Sequence, residues 1–160
     1  MRITATRILE ACGGQPAIFS IDGGHTAEVT HNDLRLAHDT VRDGGIVILD
    51  DYFNPGWPGV SEGTCRFMLV DNEQLEPVAV TANKVILARG SEAAAAYRQE
   101  LATCYRHAKP TEIFDRPVLT YEALTLEEKI KSSTAWQGVR NTPIGRGLRH
   151  ARLTLKRLRR

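Results

Sequence analysis

Residues 18–59, IFSIDGGHTAEVTHNDLRLAHDTVRDGGIVILDDYFNPGWPG, decide the fold. The run from Ala17 to Ile21 is nearly continuous in apolar residues, the pattern of a strand covered on both faces. From Thr26 to about Arg42 the period changes. Ala27, Thr30, Leu34, Ala37 and Val41 recur at intervals of three and four, while Glu28, Asp33, Arg35, Asp39 and Arg42 face elsewhere. This is the stripe of a helix lying on a sheet. Asp43-Gly44-Gly45 stops that helix, and Ile46 to Leu49 gives a second apolar strand. Strand, helix and strand with short joins form a βαβ unit, whose crossover is right-handed and whose strands run parallel.

Working outward, Thr4 or Thr6 caps a short helix over Ala5 to Cys12, ended by Gly13-Gly14. Beyond the loop Tyr52 to Gly59, Val60 to Val70 has helical spacing, with Ser61 as a candidate cap. Pro77 to Thr81 and Lys84 to Ala88 flank Ala82-Asn83 and read as an antiparallel hairpin. Ser91 caps a helix that runs to about Ala108. From Pro110 to Leu124 the pattern is weak, with one short strand at Pro117 to Tyr121, and Thr125 with Glu128 suggests a capping box. Residues 132–143 read as a linker, and Ile144 to Leu158 as a basic amphipathic helix.

A length of 160 residues fits one ordinary domain. Its apolar runs are far shorter than the ~20 residues that cross a bilayer, and the N-terminus lacks the apolar segment of a signal peptide, so a cytoplasmic location is expected. Cys12, Cys65 and Cys104 are too few and too scattered for a disulfide framework or a zinc ribbon. The formal net charge of +2 conceals an asymmetry: all 19 acids lie at or before Glu128. The body is acidic and the tail strongly basic. Packing on that acidic body is the favoured reading of the tail. Peripheral contact with an anionic membrane is the alternative, and nucleic acid is not expected.

In open α/β sheets ligands bind beyond the carboxyl ends of the strands. Asp22 ends the first strand of the unit, and Asp50 with Asp51 ends the second. Carboxylates brought so close repel one another, and a hard divalent cation such as Mg²⁺ resolves the repulsion. The competing reading has Asp22 capping the helix and Asp50 bonding loop amides. His25, three residues after Asp22, titrates near neutrality in its ordinary state and could take a proton from a hydroxyl held there. His31 and His38 read as solvated. The loop residues Tyr52, Phe53, Asn54 and Trp57 suggest a wall for an organic substrate, with packing of Phe53 and Trp57 onto the body as the alternative.

The segments IDGGH and NDLRLAHDTVRDGGIVILDDYFNPGWPGVSEG resemble the second half of class I S-adenosylmethionine-dependent methyltransferases. Among these the chain is most similar to small-molecule O-methyltransferases of the macrocin type, and more distantly to catechol O-methyltransferase. The resemblance covers about Pro16 to Gly90. It implies an α/β Rossmann-like methyltransferase sheet, mostly parallel with a C-terminal antiparallel hairpin, and lacking the first strands. It implies metal ligation by Asp22, Asp50 and Asp51, cofactor contact at Asp22 and Gly23, and a role as base for His25, where the catechol enzymes carry a lysine. S-adenosylmethionine, a divalent cation and a small-molecule methyl acceptor are the implied ligands. No glycine-rich turn follows a first strand upstream of Ala17, so the expected organisation is a partial, truncated methyltransferase domain at residues 1–124 and a basic helical extension at 125–160. The same departure leaves a second expectation: a non-catalytic half-domain, or a subunit whose open first-strand edge pairs with a second copy or a complementing chain.

Overall fold

The computed structural model describes residues 3–105 and 108–121, which lie within the first of the two units into which the chain divides, Met1–Glu122. The expected capping box, linker and basic helix fall outside the described residues.

The elements in order are α1 (Ala5–Cys12), β1 (Ile18–Ile21), α2 (Ala27–Thr40), β2 (Ile46–Leu49), α3 (Pro58–Arg66), β3 (Leu75–Val80), β4 (Val85–Arg89), α4 (Ser91–Cys104), β5 (Ala108–Ile113) and β6 (Arg116–Tyr121). A π-helical turn, Phe67–Asp71, extends α3. The strands form one sheet in the order β1-β2-β4-β3-β6-β5. β1 with β2 and β3 with β6 are parallel, and the other three pairings are antiparallel. The α/β fold with its βαβ unit and hairpin is as expected, but the sheet is mixed rather than mostly parallel. The reason is local: β4 returns from the β3 turn into the slot beside β2, and β5 and β6 add a second hairpin.

Alternation along β4 shows how the sheet is covered on both faces. Val85 and Leu87 join Leu34, Ala37, Val47, Leu49, Val60 and Phe67 in the core beneath α2 and α3. Ile86 and Ala88 pack with Ala94, Tyr97 and Leu101 beneath α4. Arg89 ties the layers by donating from Nη1 to the carbonyls of His38 (2.6 Å) and Val41 (3.0 Å). It thereby satisfies carbonyls that the end of α2 leaves without intrahelical partners.

Four local expectations are corrected. β1 is not covered on both faces: Ile18 and Ser20, on one face, are exposed, while Phe19 is half-buried and Ile21 buried on the other, and the strand pairs with β2 alone among the described residues. Ser61 does not cap α3. Pro58 opens that helix, a position where its missing N–H costs nothing, and Ser61 donates to the Tyr52 carbonyl. The helix α4 stops at Cys104, and β5 occupies what read as weakly patterned chain. His31 is not merely solvated either, since its Nε2 lies 2.5 Å from Asp71 Oδ2 at the end of the π-helical turn. The three cysteines are free, and among the described residues no helix is long and apolar enough to cross a membrane.

Candidate active site at the strand ends

The parallel pairing of β1 with β2 puts the two strand ends side by side. Ile21 lies opposite Leu49, and the Asp50 amide donates to the Ile21 carbonyl at 3.0 Å, carrying the ladder one step beyond the strands. A small cleft opens there, lined by Ile21, Asp22, Gly23, His25, Leu49 and Asp50.

Helix α2 is capped by Thr26, whose side chain accepts from the Val29 amide at 3.4 Å. Asp22 is therefore not spent on the cap. The path from Asp22 into α2 is fixed from the other side by two glycines of α3. A Cβ on Gly59 would lie 2.7 Å from the His25 carbonyl oxygen, and one on Gly63 would overlap the Ala27 carbonyl. Only hydrogen at both positions lets α3 rest directly on the backbone that carries His25.

His25 is held on three sides. Its ring stacks on Trp57, with centroids 4.5 Å apart and planes inclined by 19°. Its Nε2 lies 3.1 Å from Asp51 Oδ2 and 3.9 Å from Asp22 Oδ1. That nitrogen is buried yet makes no aligned hydrogen bond among the described residues. One donor atom from each of Asp22, His25 and Asp51 lies within 4.8 Å of the others. Two carboxylates and an imidazole so placed have the chemistry to hold a divalent cation.

Asp50, the third expected ligand, is turned away from this group. Its Oδ1 accepts from the Asp51 amide (2.9 Å) and from Asn83 Nδ2 (2.8 Å), and its Oδ2 accepts from the Lys84 ammonium. The lysine hydrogen bond is the main influence holding the Asp50 carboxyl below the usual carboxylate range. Asp51 is held low chiefly by amide donors: its Oδ1 accepts from Asn54 Nδ2 (3.0 Å) and Asn83 Nδ2 (3.0 Å). Asp51 itself has φ 58°, a left-handed conformation uncommon outside glycine, and that turn aims its carboxylate back toward His25.

The aromatic loop divides. Phe53 (51% exposed) and Trp57 (46% exposed) reach the surface, Trp57 against the His25 ring and Phe53 edge-on to Tyr52. Tyr52 does not: it is a core residue whose hydroxyl lies 3.9 Å from Cys65 Sγ, and burial pushes its phenol up. Asn54 serves the site by bonding Asp51 rather than by facing a substrate. Gly23 lies against Asp33 Oδ2, which a Cβ there would approach to 2.9 Å.

Asn83 and Lys84 were not legible as site residues. Ala82-Asn83 reads as a turn in which asparagine tolerates positive φ, yet Asn83 is not among the residues with positive φ, and its side chain is what the site uses. The available signal was an amide and an ammonium in a hairpin turn next to a strand that ends in two acids.

No curated protein and no solved structure matches the chain. Residues 3–52, from the start of the described chain through Asp22, His25, Asp50, Asp51 and Tyr52, match the family model of a methyltransferase domain, and the match supports methyl transfer as the class of chemistry.

Proposed function

We propose that the chain serves an S-adenosylmethionine-dependent methyltransferase, as the part that holds the methyl acceptor, and that it supports metal-assisted methylation of a small-molecule hydroxyl. The observation that carries this reading is the convergence of Asp22, His25 and Asp51 at two adjacent strand ends inside the segment that matches a methyltransferase domain.

In this reading Asp22 and Asp51 hold a divalent cation such as Mg²⁺, with Asp50 beside them as the third carboxylate. When bound, the cation would supply Lewis acidity that lowers the pKa of an acceptor hydroxyl. His25 Nε2, buried and free of an aligned hydrogen bond, accepts the hydroxyl proton, and the Trp57 ring keeps the imidazole in place for it. Phe53 and Trp57 cover one side of the acceptor and exclude water. In this reading Asp22 and Gly23 contact the methyl donor, as the family resemblance implies. Positioning of acceptor against donor supplies the remainder of the rate.

Calorimetric titration of the folded chain with S-adenosylmethionine in Mg²⁺ tests this reading. Saturable heat is expected, and its absence from folded protein would overturn donor binding by this chain.

A second reading is favoured by the outer edge of β1, which has no strand partner among the described residues and carries exposed Ile18. Unpaired strand edges recruit strands from other chains. In that reading the chain is a non-catalytic half-domain paired with a second copy or a complementing chain. Light scattering distinguishes the two readings, since a stable monomer at micromolar concentration contradicts self-pairing.

A further inference from the structure

The four oxygens of Asp50 and Asp51 are unequally engaged. On Asp51 the two asparagine amides occupy Oδ1 and leave Oδ2 facing His25. On Asp50 both oxygens are taken, Oδ1 by amides and Oδ2 by the Lys84 ammonium. Asn83 bridges the two Oδ1 atoms and so fixes the pair without touching either Oδ2. The chain thus supplies a cation of its own to the one oxygen of Asp50 that the amides leave free. Lys84 comes from the turn just before β4, 34 residues away and outside the segment that matches the methyltransferase domain.

We propose that Lys84 is a resident counter-ion for Asp50, which cation binding at Asp22 and Asp51 displaces so that Asp50 can join the ligand set. This rests on the metal-assisted reading above. Asp22, Asp50 and Asp51 at adjoining strand ends repel one another, and a positive charge beside Asp50 offsets that repulsion. Lysine suits an exchangeable partner: it is a point charge on a flexible stem, and here its side chain is 44% exposed, so the ammonium can move into water. A buried, bidentate arginine would hold the carboxylate too firmly. The asparagine bridge persists through the exchange because it uses the opposite oxygens.

The consequence is a specific energetic coupling. Removing the lysine should tighten cation binding, and it should do so through Asp50. General repulsion between Lys84 and a cation would act whether or not Asp50 can bind.

The test is a Mn²⁺ titration of the full chain followed by paramagnetic resonance of free Mn²⁺, with folding checked by circular dichroism. The proteins are the wild type, Lys84→Met, Asp50→Asn and the double variant. Lys84→Met is expected to bind about tenfold more tightly than wild type, within the range measured for coupled neighbours. The double variant is expected to match Asp50→Asn. Lys84→Gln replaces Lys84→Met if the latter does not fold, and Lys84→Arg is expected to bind no more tightly than wild type. An unchanged affinity in Lys84→Met, or the same tightening in the Asp50→Asn background, overturns the proposal while leaving the metal site intact. No Mn²⁺ binding by any folded variant overturns the metal-assisted reading itself.

Discussion

The imidazole of His25 lies flat against the indole of Trp57, 4.5 Å between centroids. The contact joins the loop after β1 to the loop after β2 and leaves the ring little freedom to turn. If His25 accepts the acceptor's proton, Trp57 is what keeps Nε2 aimed at it. Trp57→Leu should therefore lower kcat by about three- to tenfold, the equivalent of an aromatic pair worth ~0.5–1.5 kcal/mol. Trp57→Phe should recover most of the loss, and steady-state kinetics with both variants checks this.

His25 itself should matter far more. Loss of a positioned general base costs roughly 10²- to 10⁴-fold. His25→Gln keeps the size and a hydrogen-bonding group but cannot take a proton near neutrality. It should lower kcat/KM by that factor while leaving Mn²⁺ affinity within a few-fold of wild type. A large loss of Mn²⁺ binding instead would make His25 a ligand rather than a base.

Gly63 and Gly59 hold α3 against the backbone of His25 and Ala27. Gly63→Ala forces a methyl group into the Ala27 carbonyl, which neither rigid helix can relieve. Overpacking of this kind costs about 1–3 kcal/mol. A fall in Tm measured by circular dichroism, together with a lower kcat, is expected because the shift displaces His25. Gly56→Ala, in the loop, should have a smaller effect.

The carboxyls of Asp50 and Asp51 are both depressed in the folded protein, the first by Lys84 and the second by Asn54 and Asn83. Depressed acids bind fewer protons folded than unfolded, so their contribution to stability is fully present above the unfolded carboxylate pKa of about 3.9. It is lost as the pH falls through the lower folded values. Urea unfolding of the cation-free protein across pH 5 to 2 should show this loss, and Asn83→Ala should reduce it. A pH slope identical in wild type and Asn83→Ala contradicts the assignment.

The βαβ unit was legible because its signals are local. The period of Leu34, Ala37 and Val41 and the runs before Asp22 and Asp50 depend only on near neighbours, and Thr26 and Gly45 punctuate them. What neighbours a strand has is not local. The run Ile18 to Ile21 looks like a central strand but lies at an edge of the described sheet. β5 was missed because Lys109, Pro110, Thr111 and Glu112 are exposed and show no apolar alternation. Its turn, Phe114-Asp115, takes positive φ at both residues without the glycine that would have announced it. The site divides in the same way. Asp22, His25 and Asp51 lie on short segments of one unit, whereas Lys84 reaches Asp50 only because β4 inserts beside β2. Tyr52 read as part of an exposed wall because the loop's composition says nothing of which ring faces the core.

The account turns on methyl transfer at these strand ends. The most direct measurement follows a labelled methyl group from S-adenosylmethionine to a panel of phenolic and sugar hydroxyl acceptors, with Mg²⁺ present or removed by chelation. The account predicts incorporation that disappears on chelation and in Asp51→Asn. Incorporation untouched by chelation, or none with any acceptor from protein that is folded and binds Mn²⁺, would contradict it.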